Sequence, residues 1–405
     1  MSDIRIVGAS AGTGKTHRLS SELTQAISGG LPGSAVVATT FTRKAAAELE
    51  QRIRQMLLSA GQLTAVAELS LGSVGTINAI CARWLSEYAI ESGLSPAVAV
   101  LSEEAEDLFF RGATSAIVAK QAIQVGEAAE RFGYDGAGSM YQRNPDWREI
   151  VRRIAALARQ NAMDPSQFAN FAERSLEGMK AALAMDETID FRDWQRRFAG
   201  ALRSDIDKLE ADKRANGELK EHSKDALYEC KSLLGKIEGG LSISYKQYVR
   251  VATHALNSPQ RKTGVLADAR DLLDSLPATD QFQTDLALIV RSCFACAADC
   301  LVEYQKGKAE AGLMDFADQE SMVLARLVAN ASDGSAAQSN LAQSLQRRIQ
   351  KLMVDEFQDT NPIQLAQFRA LHQLSGDSTW VGGPTQSIYR LRGAAPVLMH
   401  HAPTA

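Results

Sequence analysis

Over the first hundred residues, short apolar runs alternate with amphipathic stretches. Arg5-Ile6-Val7 reads as a buried strand; Leu19, Leu23 and Ile27 then recur every fourth residue, and Gly29-Gly30 supplies a helix stop. Ala35-Val36-Val37-Ala38-Thr39 reads as a second strand, followed by a helix that Thr42 caps and whose apolar face is Ala45, Leu49, Ile53 and Met56. Strand, helix, strand, helix predicts a parallel sheet covered by helices. Val98-Ala99-Val100-Leu101 is a third apolar run of the same kind. From about Glu103 to Tyr304 the pattern is helical almost throughout, with breaks at Gly133–Gly138, Asn216-Gly217, Gly239-Gly240 and Pro259. The α/β character then returns: Leu352-Met353-Val354 and Thr379-Trp380-Val381 read as strands, and Asn361-Pro362 as a helix start, a cap followed by proline in the first turn. The expected organisation is one α/β domain, residues 1–102 and 305–405, interrupted by a mostly helical domain over 103–304.

Composition narrows the class. Hydrophobic residues at 45% and charged residues at 23% of 405 are globular proportions. A net charge of −4 excludes a strongly basic coat but leaves room for a local basic groove. Five cysteines are no disulfide framework and fit a reducing compartment. No stretch approaches the ~18 consecutive apolar residues of a membrane span, so no membrane partner and a cytoplasmic location are expected. The stretch Asp205–Asp225 mixes both signs of charge and reads as a solvated helical face.

The sharpest local signal is Ala9-Ser10-Ala11-Gly12-Thr13-Gly14-Lys15-Thr16, between a predicted strand and a predicted helix. Glycines let the backbone curl so that successive N–H groups point inward, an anion nest that the helix N-terminus reinforces. Lys15 can reach the β- and γ-phosphates of a nucleotide, and the Thr16 hydroxyl can ligate Mg2+. The usual pattern starts with glycine where this chain has Ala9. In Val354-Asp355-Glu356-Phe357-Gln358-Asp359, adjacent carboxylates follow a strand, at the end where open α/β sheets bind ligands. Asp355 is placed to hold Mg2+ through water, and Glu356 to orient and deprotonate the attacking water.

Together with four further segments, these motifs resemble the N-terminal half of a UvrD/RecB-type superfamily 1 DNA helicase, nearest to the RecB and AddA nuclease-helicases. The other segments are Thr-Thr-Phe-Thr-Arg-Lys-Ala-Ala-Ala-Glu-Leu (39–49), Gly-Thr-Ile-Asn-Ala-Ile-Cys-Ala-Arg (75–83), Leu-Met-Asp-Phe-Ala-Asp (313–318) and Val-Gly-Gly-Pro-Thr-Gln-Ser-Ile-Tyr-Arg-Leu-Arg-Gly-Ala (381–394). All lie in the α/β parts of the chain. The resemblance implies a RecA-like P-loop fold that binds ATP with Mg2+ and single-stranded DNA, with a helical insertion. It implies that Gln386 senses the γ-phosphate, that Phe41, Thr42 and Arg43 touch the strand, as do Thr76 and Asn78, and that Tyr389 and Arg392 connect nucleotide to DNA. Aromatic platforms and cations along a groove suit single-strand binding. Phe41 can equally be a core aromatic, and Lys44, Glu48 and Arg52 an exposed ion-pair ladder.

Departures from the family pattern are specific. Asn78 stands where relatives have histidine, Gly383 where they have an acid, and Leu391 where they have a stacking aromatic. Residues 1–8 hold no glutamine to match the one that reads adenine. After Ala394 eleven residues remain of the 405, too few for the second RecA-like domain, which in the family brings arginines to the γ-phosphate. An arginine finger is worth ~10³–10⁵ in turnover. Slow hydrolysis and no unwinding are therefore expected unless a protein partner supplies that domain in trans. The rival expectation is a catalytically weak ATP- and DNA-binding module, or one half of a split helicase.

Other signals read as structural. Cys293, Cys296 and Cys300 fall on one helix face with Leu286, Ile289 and Tyr304, a core stripe and not a metal cluster. Trp147–Arg153 and Phe191–Arg197 interleave aromatics with arginines, and read as amphipathic helices whose cationic stems cover apolar surface.

Overall fold

The computed structural model describes residues 4–8, 15–90, 94–95, 98–139, 142–183, 185, 187–217, 221–257, 267–328 and 339–382. In chain order its elements are β1 (Ile4–Gly8), α1 (Lys15–Ser28), β2 (Val36–Thr40), α2 (Arg43–Ser59), α3 (Leu63–Leu69), β3 (Ser73–Thr76), α4 (Ile77–Glu87) and β4 (Ala99–Val100). Then come α5 (Glu103–Phe132), β5 (Gly138–Ser139), β6 (Gln142–Arg143), α6 (Trp147–Gln160), α7 (Phe168–Ala182), α8 (Phe191–Asn216), α9 (Glu221–Glu238), α10 (Tyr245–Asn257), α11 (Ala267–Leu273) and α12 (Asp280–Ala311). The chain closes with β7 (Leu313–Met314), α13 (Phe316–Val328), α14 (Asn340–Arg348), β8 (Lys351–Val354), α15 (Pro362–Ser375) and β9 (Ser378–Gly382). The chain divides into two compact units: Met1–Arg111 with Ala156–Met163 and Tyr304–Ala405, and Gly112–Ala155 with Asp164–Glu303. Among the described residues no helix is long and apolar enough to cross a membrane.

The first unit is built on a five-stranded sheet in the order β1-β9-β8-β2-β3. Every pairing is parallel: Gly8 lies opposite Gly382, Val354 opposite Trp380, Thr39 opposite Val354, and Thr40 opposite Thr76. Side chains alternate across it as a period of two requires. Leu352, Val354, Val37 and Trp380 pack with α4, α13, α14 and α15 on one face. Met353, Val36, Ala38 and Val381 pack with α1, α2 and α3 on the other. Both faces are covered, which is why the inner strands are buried throughout and carry apolar runs at their centres.

Three expectations need correcting. Val98–Leu101 does not supply a strand to this sheet; Ala99 and Val100 pair with Leu313 and Met314 in a separate two-stranded ladder, and both are exposed. The sheet's remaining strand is β3, Ser-Val-Gly-Thr, which has no apolar run to announce it. The buried face of α2 is Ala46, Leu49, Ile53 and Leu57, with Ala45 and Met56 only half-buried beside it.

Among the described residues the second unit is helical apart from the β5–β6 hairpin and isolated bridges at Asp135–Asp146 and Ile189–Thr279. Trp194, Phe198, Leu202 and Leu209 of α8 pack on Cys230 and Leu233 of α9 and on Tyr248 and Val251 of α10. The aromatics of the arginine-rich segments therefore serve the core: Trp147 and Trp194 are buried, and Arg148 lies over the Trp147 ring. Cys293, Cys296 and Cys300 are buried along α12, with the Cys296 and Cys300 sulfurs 3.9 Å apart. Asp205 corrects the solvated reading of its stretch: it is fully buried and accepts from the Ala269 N–H at 3.0 Å. Burial pushes its carboxyl up from the ordinary range.

Candidate functional site

A parallel sheet delivers all its strand ends to one edge, and that edge organises the site. β1 ends at Gly8 and α1 opens at Lys15. Residues Ala9 to Gly14 lie outside the described residues, as do the side chains of Lys15 and Thr16. β8 ends at Val354, and Asp355 and Glu356 follow. Only β9 separates β1 from β8, so the two chain exits leave the same edge about 10 Å apart, two inter-strand steps.

The acid-bearing turn is tightly determined. The Asp355 N–H donates to the Thr39 carbonyl at 2.8 Å, which continues the β2–β8 ladder one residue past the strand. Glu356 has φ 54°, the left-handed region, unusual for a side chain of this size. Holding it costs about 1–3 kcal/mol and persists only where the surroundings over-determine it. They do: the Glu356 N–H donates to Asp355 Oδ1 at 2.9 Å, and its carbonyl accepts from the Asp359 N–H at 2.9 Å. Phe357 is buried against Trp380 with ring centroids 4.8 Å apart. Gln358 Nε2 donates to Glu356 Oε2 at 2.5 Å and to Asp359 Oδ2 at 3.3 Å. Gly382 leaves room for this amide: a Cβ there would sit 2.6 Å from Gln358 Oε1. The turn ends in a capping box, in which Asn361 Oδ1 accepts from the Gln364 N–H and the Gln364 side chain accepts from the Asn361 N–H.

Beside this turn lies a cavity of about 620 Å³. It brings together Phe41, Arg43, Thr76, Asn78, Asp355 and Glu356, residues drawn from the ends of β2, β3 and β8. Phe41 is half-buried, part wall and part core. Thr42 is not in the lining; its hydroxyl caps α2, accepting from the Ala45 N–H at 3.1 Å. Thr76 caps α4 in the same way at 3.3 Å while lining the cavity. Helix N-termini at the rim favour negative charge. Gln386, Tyr389 and Arg392 lie outside the described residues.

Phe316 and Gln319 also line the cavity, and sequence reasoning gave neither a role. The available signal was the segment 313–318, which contains Phe316. Both sit in the first turn of α13, which is anchored by a buried ionic cluster. Lys308 Nζ lies 2.5 Å from Asp315 Oδ2 and also pairs with Asp318, while Arg159 pairs with both Asp315 and Glu106. Tyr304 donates to Asp315 at 3.0 Å. The Asp315 and Asp318 side chains each accept from the other's N–H at 3.0 Å, closing the start of the helix. Burial alone would raise the Asp315 carboxyl, but Arg159 and Lys308 overcome it and hold it below the usual range.

A family model described as the UvrD/REP helicase N-terminal domain matches residues 2–404. The chain belongs to the UvrD/REP helicase family. Its architecture is accordingly the RecA-like α/β fold of that family with a helical insertion. Similar proteins include an ATP-dependent helicase/nuclease subunit of Limosilactobacillus fermentum, 28% identical over 97% of this chain and 33% of the relative. Its counterpart of the same description in Levilactobacillus brevis is 26% identical over 97% of this chain and 34% of the relative. The exonuclease/helicase protein RexA of Streptococcus pneumoniae is 24% identical over 98% of this chain and 34% of the relative. This UvrD/REP chain thus spans about a third of the length of the curated relatives it matches.

Proposed function

We propose that these 405 residues bind ATP with Mg2+ and single-stranded DNA, and form the ATP-hydrolysing half of a UvrD/RecB-type DNA helicase acting in repair or recombination. The observation that carries this is the shared strand edge. β1 leads into residues 9–16 and β8 into Asp355-Glu356, with one strand between them, and the same edge opens onto the cavity lined by Phe41, Arg43, Thr76 and Asn78. The RecA-like domain is assigned to 1–102 and 305–405, with the helical domain of 103–304 inserted, and a cytoplasmic location goes with it.

In this assignment residues 9–14 cradle the phosphates with backbone N–H groups, and Lys15 contacts the β- and γ-phosphates. Thr16 and Asp355 offer the hard oxygen donors that Mg2+ prefers. Bound ATP with its metal supplies the phosphoanhydride to be cleaved. Glu356 takes the proton of the attacking water at its carboxylate, whose Oε2 is fixed by Gln358. Gln386 reports on the γ-phosphate, while Arg43, Thr76, Asn78, Tyr389 and Arg392 contact the strand. Thr42 supports the strand contacts by fixing the start of α2.

The test is the ATPase rate of the purified chain with and without single-stranded DNA. A DNA-stimulated rate that Glu356→Gln removes, with ATP binding retained, is the expected result. Tight ATP binding with negligible turnover, restored by a second polypeptide carrying arginines, supports the split-helicase alternative with a partner domain in trans. DNA-independent phosphoryl transfer to a small molecule overturns both.

A further inference from the structure

We propose that Glu320 is a positioning residue for hydrolysis, setting through two amides the turn that carries Glu356. This rests on the role given to Glu356 above and adds a supporting residue to that site.

The acid turn is held at its front by β8, through the Asp355 N–H on the Thr39 carbonyl, and at its rear by the capping box of Asn361 and Gln364. Glu356 lies between these anchors in the left-handed region, a conformation that persists only while its surroundings over-determine it. What holds the rear anchor therefore helps to hold Glu356.

The capping box works only with both side-chain oxygens toward the backbone, and an amide that turns over presents its NH2 there instead. Glu320 settles the direction. It reaches in from α13, 4% exposed, and its Oε1 accepts from Gln364 Nε2 at 2.7 Å while Oε2 accepts from Asn361 Nδ2 at 3.4 Å. An ionised carboxylate only accepts, so both NH2 groups are drawn to it. The two amide oxygens are then left facing the Asn361 and Gln364 N–H groups, at 3.3 and 2.8 Å. The Glu320 carbonyl accepts in turn from Gln367 Nε2 at 2.6 Å, which ties α13 to the next turn of α15.

Stability alone does not account for this carboxylate. Burial is the largest influence on it and disfavours its charge; the same two amides offset that, with no cation paired to it among the described residues. A neutral side chain in its place avoids the cost. What a carboxylate supplies that glutamine cannot is acceptors without a donor.

The experiment compares the full chain with Glu320→Gln and with the exchange Glu320→Gln/Gln364→Glu, in ATP hydrolysis at pH 8 with Mg2+ and a saturating deoxythymidine homopolymer. In Glu320→Gln one of the two amides must turn over to meet an NH2, and its cap bond is lost. kcat is expected to fall about tenfold, within the ~10²-fold that a misplacement of about 1 Å can cost. KM for ATP is expected to stay within about twofold, with the melting temperature no lower. In the exchange, the carboxylate at position 364 accepts from the Asn361 N–H and from the amide at position 320, whose oxygen accepts from Asn361 Nδ2. It is expected to recover kcat to within about threefold of the unmutated chain. An unchanged kcat in Glu320→Gln, a fall that comes with a lower melting temperature, or an exchange as slow as the single variant overturns the inference alone. No hydrolysis by the unmutated chain, or hydrolysis that Glu356→Gln fails to slow, overturns the role of Glu356 and this inference with it.

Discussion

Lys308→Met tests how the α13 wall of the cavity is held. Lys308 is 1% exposed and Asp315 is fully buried, with Nζ 2.5 Å from Oδ2 and the ammonium 4.4 Å above the Tyr304 ring. Methionine keeps most of the stem and fills the slot, so the change removes a charge more than it opens a void. Two unit charges about 4 Å apart interact by about 4 kcal/mol at an effective dielectric near 20. Relief from burying the ammonium offsets part of this, but Asp315 is left in the interior with Arg159 as its remaining cation partner among the described residues. Breaking such a buried pair from one side costs about 3–5 kcal/mol, and Arg159 sets the expectation at the low end, about 3 kcal/mol. The deficit has a sign in pH. In the unmutated chain the Asp315 carboxyl is held low, so its contribution is complete above the ordinary aspartate value of about 3.9 and is lost only as pH falls through the lower folded value. Without Lys308 burial lifts the carboxyl, so the variant's deficit is largest at neutral pH and shrinks as acid neutralises Asp315. The assay is urea titration with hydrogen exchange read on peptides covering 313–328, at neutral and mildly acidic pH. A loss under about 1 kcal/mol, or one that ignores pH, refutes the reasoning.

Other outcomes follow from the same geometry. Lys15→Ala should abolish nucleotide binding or weaken it severely; micromolar affinity retained in a calorimetric titration would remove the lysine from the phosphate site. Gly382→Ala places a Cβ 2.6 Å from Gln358 Oε1 and 3.1 Å from the Gln358 N, so the acid turn must shift. A stability loss of about 1–3 kcal/mol is expected, with hydrolysis reduced more than ATP binding; kinetics like those of the unmutated chain would show that Gln358 does not position Glu356. Glu320 is buried where it accepts from Gln364 Nε2 at 2.7 Å, and burial raises its carboxyl. The folded chain therefore holds that proton above the ordinary glutamate value and loses stability as pH rises from there. Glu320→Gln should remove the slope, gaining little near pH 4 and more toward pH 8 in thermal melts, and parallel profiles would contradict it.

Much of the α/β framework was open to reading because its inner strands are buried on both faces. A strand covered twice buries both its faces and carries a continuous apolar run, and Val36–Ala38, Leu352–Val354 and Trp380–Val381 announce themselves for that reason. The same logic misled at Val98–Leu101, where the apolar run pairs with Leu313 and Met314 in a separate ladder and leaves Ala99 and Val100 exposed. It failed at β3 for the opposite cause. Among the described residues, Ser73–Thr76 lies at the sheet edge and pairs only with β2, so its Ser and Gly satisfy the ladder without bulky side chains. The acids at 355–356 and the residues after β2 were legible as chemistry, because strand ends on a parallel sheet are where such residues collect. Their union in one cavity with Phe316 and Gln319 was not, since those arrive from some 270 residues away from Phe41.

What sequence could not supply is the over-determination that makes a site hold its shape. The residue type at Glu356 does not favour a left-handed backbone; Gly or Asn would adopt it at less cost. Local bonds to Asp355 and Asp359 hold it, and contacts from elsewhere complete the frame: the Thr39 carbonyl on Asp355, the Trp380 ring on Phe357, and the space that Gly382 leaves for Gln358. Each belongs to a neighbouring strand in the sheet, β2 or β9, so the turn takes its shape only once β8 is paired on both sides. The Asp315 cluster follows the same rule with charges, drawing Arg159 from α6, Lys308 from α12 and Glu106 from α5 to fix one helix start. The acid turn and the first turn of α13 are therefore products of the assembled unit. Substitutions at their distant supports should disturb the chemistry as surely as substitutions at Glu356.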